Sequence, residues 1–170
     1  MLGRVGELTI VDWLSDQGYR LLPIFENLLA QGKGPRTMDL FGETVTPDIL
    51  SFRGGEMRWF EVKTKSRFTW YGRGGYWTTG LDERYYDHYR RVEMEWEIKV
   101  TLIFLHVLSD TWLPDMLKWG APVSCPTGIY MADMKTPIDH FGSSKGTKMV
   151  YFALDRLLRV GDVPAEGGKL

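Results

Sequence analysis

Thr46 to Thr64 reads TPDILSFRGGEMRWFEVKT, and this stretch decides the fold. Pro47-Asp48 opens one strand-like run (Ile49, Leu50, Phe52), and Glu61-Val62-Lys63 closes a second (Met57, Trp59, Phe60, Val62). Gly54-Gly55 between them supplies a tight turn. Two short antiparallel strands joined in this way bring Asp48 beside Glu61. Residues 61 and 63 of a strand point to one face, roughly 6.6 Å apart along it. Two carboxylates and an ammonium therefore converge on a small volume. The same letters also fit a surface hairpin with scattered charges, so the surroundings have to discriminate.

The chemistry suits a hard cation. Mg²⁺ takes oxygen ligands, keeps several waters, and is usually held by one or two carboxylates together with substrate phosphate. Asp48 and Glu61 offer those oxygens, with the backbone carbonyl of Val62 between the two functional side chains. Lys63, a compact point charge, is placed to orient a water or to stabilise charge gathering on a phosphate. A third carboxylate lies upstream. Gly3 to Gly18 reads as an amphipathic helix with Val5, Leu8, Ile10, Val11 and Leu14 as its apolar positions, and Glu7 shares a stripe with Ile10, Val11 and Leu14. A carboxylate on such a stripe either sits at the rim of the first turn, favoured by the helix N-terminus, or is turned toward a cation or partner.

Gly6-Glu7 on a first helix, then Pro47-Asp48, then Glu61-Val62-Lys63 resembles the PD-(D/E)XK nuclease superfamily. Its members include restriction enzymes, Holliday-junction resolvases and phage recombination nucleases. The resembling stretch runs from about residue 3 to 107. The resemblance implies a restriction-endonuclease-like α/β fold, a mixed β-sheet flanked by helices in the order αβββαβ. Beyond it the chain reads as a short β-rich C-terminal extension over about 108–160 and a frayed tail over 161–170. The resemblance also implies Asp48 and Glu61 as metal ligands with the Val62 carbonyl, Lys63 as the catalytic lysine, Glu7 as an accessory acid, and Mg²⁺ or Mn²⁺ as the cofactor.

The rest of the chain is read for order and charge. Tyr19 to Phe25 is a strand or a connection interrupted by Pro23; Gln31 to Pro35 is loop by composition; Met38 to Phe41 begins the strand meander. Strands follow at about Thr46–Phe52 and Met57–Thr64. Leu81 to Trp96 forms a second helix with Tyr85, Tyr89, Val92 and Trp96 on one stripe. Lys99 to Val107 (KVTLIFLHV) is a nearly continuous apolar, β-rich run, as expected of a central strand covered on both faces. Short strands are expected at Gly128–Met134 and Lys148–Ala153, separated by a polar stretch from His140 to Gly146.

A single domain accommodates 170 residues. The hydrophobic and charged fractions, 44% and 25%, are those of a soluble globular protein. No run reaches the length of a membrane span and no signal-peptide layout is present. The lone Cys125 has neither a disulfide partner nor zinc-ligand spacing. These features lead to the expectation of a reducing, cytoplasmic setting in a bacterial or phage-infected cell. Net charge is only −1, but Arg53 to Arg73 holds six Lys/Arg against two acids, beside the candidate metal site.

Arg67 to Trp77, RFTWYGRGGYW, adds five aromatics, two arginines and three glycines. Trp70 and Tyr71 are placed either to stack on unpaired bases or to pack in the core or a subunit interface. With Lys65, Arg67, Arg73 and His88 they make up the candidate nucleic-acid-binding set, although a lone helical histidine such as His88 is more often a packing residue. His106 and His140 are too isolated in pattern to interpret. The functional expectation is a structure-selective, homodimeric DNA endonuclease of recombination, repair or replication. A DNA-binding module without catalysis and a nuclease acting on RNA are the alternatives.

Overall fold

In the computed structural model, residues 2–24, 36–39, 42–108 and 117–164 are described. The loop read over residues 31–35 and the last part of the tail, 165–170, lie outside them, as do Phe25 and Phe41. The chain opens on helix α1 (Leu2–Asp16), followed by β1 (Arg20–Pro23), β2 (Arg36–Asp39), β3 (Gly42–Val45), β4 (Ile49–Arg53) and β5 (Glu56–Lys65). Then come β6 (Thr69–Tyr71), β7 (Tyr76–Asp82), helix α2 (Glu83–Trp96) and β8 (Val100–His106). The chain continues through β9 (Gly128–Asp133), β10 (His140–Ser144), β11 (Thr147–Ala153), a 3-10 turn (Leu154–Arg156) and β12 (Leu158–Gly161).

The principal sheet has six strands in the order β1-β4-β5-β8-β9-β12. Only the β5–β8 pair is parallel; the other neighbours are antiparallel. A parallel pair needs a crossover, and α2 lies in the connection between β5 and β8. The hairpin β4–β5 turns at Gly54-Gly55, where φ is +60° and +84°. Positive φ at both central residues is what a tight two-residue hairpin turn demands, and glycine adopts it without steric cost.

Each face of this sheet carries its own core. On one face Ile10 and Leu14 of α1 close over Ile49, Phe60, Val62, Ile103, Leu105 and Ile129, all fully or almost fully buried. The helix comes very close here: a Cβ on Gly6 would lie 1.7 Å from Oγ1 of Thr64 in β5. Only a residue without a side chain fits there, and that fixes where the next residue, Glu7, meets the strand. On the other face Trp59, Leu102, Phe104 and Tyr130 pack with Tyr86, Tyr89 and Val92 of α2 and with Val150 and Phe152. The latter two belong to a second, four-stranded antiparallel sheet, β10-β11-β7-β6. Every residue of β8 is buried, the polar Thr101 and His106 included, as its nearly continuous apolar run implies.

The fold is the mixed α/β architecture expected, with a central sheet flanked by helices, and several elements differ locally from the expectation. The segment expected to begin the meander pairs instead as a separate β2–β3 hairpin, and β1 takes the edge beside β4. Leu81 belongs to β7, opposite Val150, because the Asp82 side chain accepts from Arg84 N at 2.9 Å and starts the helix at Glu83. Tyr86, not Tyr85, joins Tyr89 and Val92 in the core. The polar stretch from His140 contains a strand, β10, paired to β11 across a turn with Lys145 and Gly146 at positive φ. Strands β9 and β12 complete the principal sheet on the far side of β8. Among the described residues no helix is long and apolar enough to cross a membrane.

Candidate active site

The register of the hairpin assembles the site. Ile49 pairs with Phe60, so Asp48 stands at the end of that ladder, level with Glu61. Its backbone is held by Ile24 N donating to Asp48 O at 2.7 Å. Its side chain is held by Val62 N, which donates to Asp48 Oδ2 at 2.9 Å. Because side chains alternate along β5, Phe60, Val62 and Thr64 serve the α1 face while Glu61, Lys63 and Lys65 look to the opposite one. Lys63 folds back to form an ion pair between its Nζ and Glu61 Oε1.

Glu61 is only 1% exposed. Its second oxygen, Oε2, is buried and has no hydrogen-bond partner among the described residues. An unsatisfied buried carboxylate oxygen costs desolvation energy that a protein normally avoids. Asp48 responds to the same environment. Burial first, and then the neighbouring charge of Glu61, push its carboxyl well above the usual aspartate range; Lys63 and the Val62 N–H pull the other way, and Glu7 adds a further upward push. Glu7 thus acts on Asp48 by charge. Two acids brought together in a buried setting raise the cost of ionising both, and the Lys63 ammonium offsets part of it.

Lys63 shows the converse. Burial alone would lower its pKa, but Glu61 and Asp48 more than reverse that and raise it above its ordinary value, so Lys63 is an ammonium throughout the neutral range. Its Nζ lies 5.4 Å from the centre of the Tyr85 ring. Tyr89, 2% exposed, is pushed upward in pKa by burial and then by the charge and hydrogen bonding of Glu61. Lys65, half-buried two residues further along, is lowered by burial and by the charge of Lys63.

The remaining residues of the candidate set are spread more widely. Arg73 is exposed in the turn between β6 and β7. Trp70 packs edge-on against buried Trp77 at 5.0 Å, and its Nε1 donates to Trp119 O at 2.9 Å. Tyr71 stacks on His140 at 4.3 Å. Both rings therefore have protein partners, as the packing alternative requires. Arg67 is half-buried near the end of β5, and His88 is half-buried on α2. The structure thus brings Asp48, Glu61, Val62 and Lys63 together, with Glu7 acting on Asp48 by charge and Lys65 near enough to feel the charge of Lys63. Tyr85 and Tyr89 complete the surroundings. The i, i+4 spacing of these two tyrosines is visible in the sequence, where it reads as a packing stripe.

Among the described residues no group of three or more His, Cys, Asp or Glu is arranged to hold a metal ion. The oxygens on offer are those of the Asp48–Glu61 pair. The orphaned Glu61 Oε2 and the raised Asp48 fit a divalent ion that is completed by water and by substrate oxygen, the usual Mg²⁺ arrangement.

Neither a protein-family model nor a curated protein matches the sequence. Among solved structures, the chain is similar to Hjc of Archaeoglobus fulgidus, a Holliday junction resolvase from an archaeal hyperthermophile. The TM-score is 0.53 at 10% identity, over 93% of this chain and 91% of that one. At that identity the likeness is one of fold.

Proposed function

We propose that this chain is a divalent-metal-dependent DNA endonuclease that hydrolyses phosphodiester bonds at branched or otherwise structured DNA, in recombination, repair or replication. The observation that carries the reading is the buried Glu61 carboxylate, with Oε2 free, beside Asp48 and tied to Lys63. Similarity in fold to a Holliday junction resolvase supports the substrate class. Asp48 and Glu61, with the Val62 carbonyl, would hold Mg²⁺ or Mn²⁺. Such an ion supplies Lewis acidity and lowers the pKa of a bound water.

The protein's own contribution is positional and electrostatic. The Val62 N–H fixes the rotamer of Asp48. Lys63, held as an ammonium by Glu61 and Asp48, is suited to stabilising negative charge on the scissile phosphate and not to accepting a proton. Glu7, seated by the close contact of Gly6 with Thr64, adds negative potential on the α1 side of the site. Lys65, Arg67 and Arg73 extend positive charge away from the acids, where the backbone of a bound strand would run. A homodimer, with one site for each of two strands, suits a branched substrate, and the cytoplasm of a bacterial or phage-infected cell is the setting.

The test is incubation with Mg²⁺ or Mn²⁺ and a panel of single-stranded, duplex, flap and four-way DNA and an RNA duplex. Cleavage of the branched substrates in preference to perfect duplex, abolished in Lys63→Ala with DNA binding retained, is the expected result. Binding without cleavage on every substrate would make the chain a binding module, and cleavage confined to RNA would reassign its substrate.

A further inference from the structure

We infer that Tyr85 is a positioning residue for Lys63, whose ammonium it holds over the face of its ring while Glu61 holds it by an ion pair. This inference rests on the nuclease reading of the site and adds to it a residue from α2. The Lys63 Nζ lies 5.4 Å from the Tyr85 ring centre, inside the range of about 6 Å at which the ring quadrupole attracts a cation. The ring is itself supported. It lies nearly parallel to Tyr89, with centroids 6.4 Å apart and planes 19° apart, and Tyr89 is fixed in the core at 2% exposure.

Lysine needs such support more than arginine does. Its four-carbon stem carries large rotamer entropy, and a compact ammonium has no fork to fix its direction. Lys63 retains 28% side-chain exposure, so with Glu61 as its only anchor it would be free to swing toward solvent. With an ion held at the acid pair, Glu61 would be shared, and the ring face would be the anchor that Lys63 keeps. Tyr85 itself is 40% exposed. A tyrosine so exposed contributes little to the core, and its contact with the ammonium accounts for its place at the site.

The substitution Tyr85→Leu removes the aromatic face and keeps an apolar helix residue, whereas Tyr85→Phe keeps the face and removes only the hydroxyl. The structural readout is the chemical shift of the Lys63 Hε protons by NMR in the intact chain. An upfield ring-current shift is expected in the wild type and in Y85F, and its loss in Y85L. The kinetic readout is kcat against KM on the best substrate of the panel. Y85L should lose roughly two- to thirtyfold in kcat, the range of a cation–π contact converted to a rate, with KM little changed and Y85F restoring most of the rate.

Absence of a ring-current shift in the wild type would overturn the contact. A shift lost in Y85L with kcat unchanged would overturn the positioning role. Equal losses in Y85F and Y85L would assign the effect to the hydroxyl and overturn the ring-face mechanism. A wild type that cleaves nothing would count against the nuclease reading, while the Hε shift would still decide the Tyr85–Lys63 contact by itself.

Discussion

His106 supplies an acid-sensitive element of stability whose size follows from the structure. The side chain is completely buried, stacks on Phe68 with centroids 3.6 Å apart, and shares a hydrogen bond of 3.1 Å between Nε2 and Thr79 Oγ1. It lies opposite Lys65 in the parallel β5–β8 register. Burial first and the Lys65 charge second lower its pKa from 6.5 to about 3, against a backbone hydrogen bond with Arg67 that works the other way.

A histidine depressed in this way is neutral in the folded protein and takes up a proton on unfolding. Its contribution is therefore complete above pH 6.5 and is lost as pH falls. At pH 5 the unfolded histidine is almost wholly protonated and the folded one is not, so the loss relative to pH 8 is roughly 2 kcal/mol. That figure is set almost entirely by the unfolded value of 6.5, because the folded value lies far below pH 5 in any case.

The assay is urea unfolding of the wild type and His106→Gln at pH 8 and pH 5. The variant is expected to be less stable at both pH values but to lack this pH-dependent part, so the gap between the two proteins should narrow by roughly 2 kcal/mol on acidification. The opposite trend of Asp48, whose raised pKa favours the folded state as pH falls, is present in both proteins and cancels. An unchanged gap, or one that widens at pH 5, would refute the reasoning.

Other positions give equally direct checks. Gly6→Ala should destabilise by roughly 1–3 kcal/mol in denaturant unfolding and lower activity as well, since the new methyl must push α1, and Glu7 with it, off Thr64. Glu7→Gln should lower cleavage strongly while the melting temperature of the metal-free protein stays level or rises, because a charge that disfavours ionised Asp48 is removed; unchanged activity would leave Glu7 a helix-terminus residue only. Trp70→Ala should cost about 2–4 kcal/mol of stability through lost packing on Trp77 and the lost bond to Trp119, and should weaken binding to every DNA alike. A stable Trp70→Ala that loses only branched-DNA affinity, by roughly 1–3 kcal/mol, would mean instead that this ring stacks on bases.

What could be read in the sequence was local. The Gly54-Gly55 turn sets the β4–β5 register, and that register puts Asp48 beside Glu61, so the pairing at the centre of the candidate site is legible in the sequence. The nearly continuous apolar run of β8 likewise points to a central strand. Elements whose reason for existing is distant in the chain were harder to see. Strand β10 is polar because it lies at a sheet edge, and it forms through pairing with β11. Leu81 continues the spacing of the α2 stripe by one turn, and only the Asp82 cap separates strand from helix there. The parts played by Tyr85 and Tyr89 depend on how α2 crosses the β5 face, which helical spacing does not encode. His106 looked isolated because its partners, Thr79, Phe68 and Lys65, come from other segments of the chain.

The central claim is that the Asp48–Glu61 pair holds a divalent ion used in phosphodiester cleavage. Single-turnover cleavage of four-way DNA by the wild type and Asp48→Ala across a Mn²⁺ titration tests it most directly, with DNA affinity measured on the same samples. The account predicts metal-dependent cleavage by the wild type, none above background by Asp48→Ala at any Mn²⁺ concentration, and similar DNA affinity for both. Cleavage by Asp48→Ala at the wild-type rate and with the same Mn²⁺ dependence would contradict it.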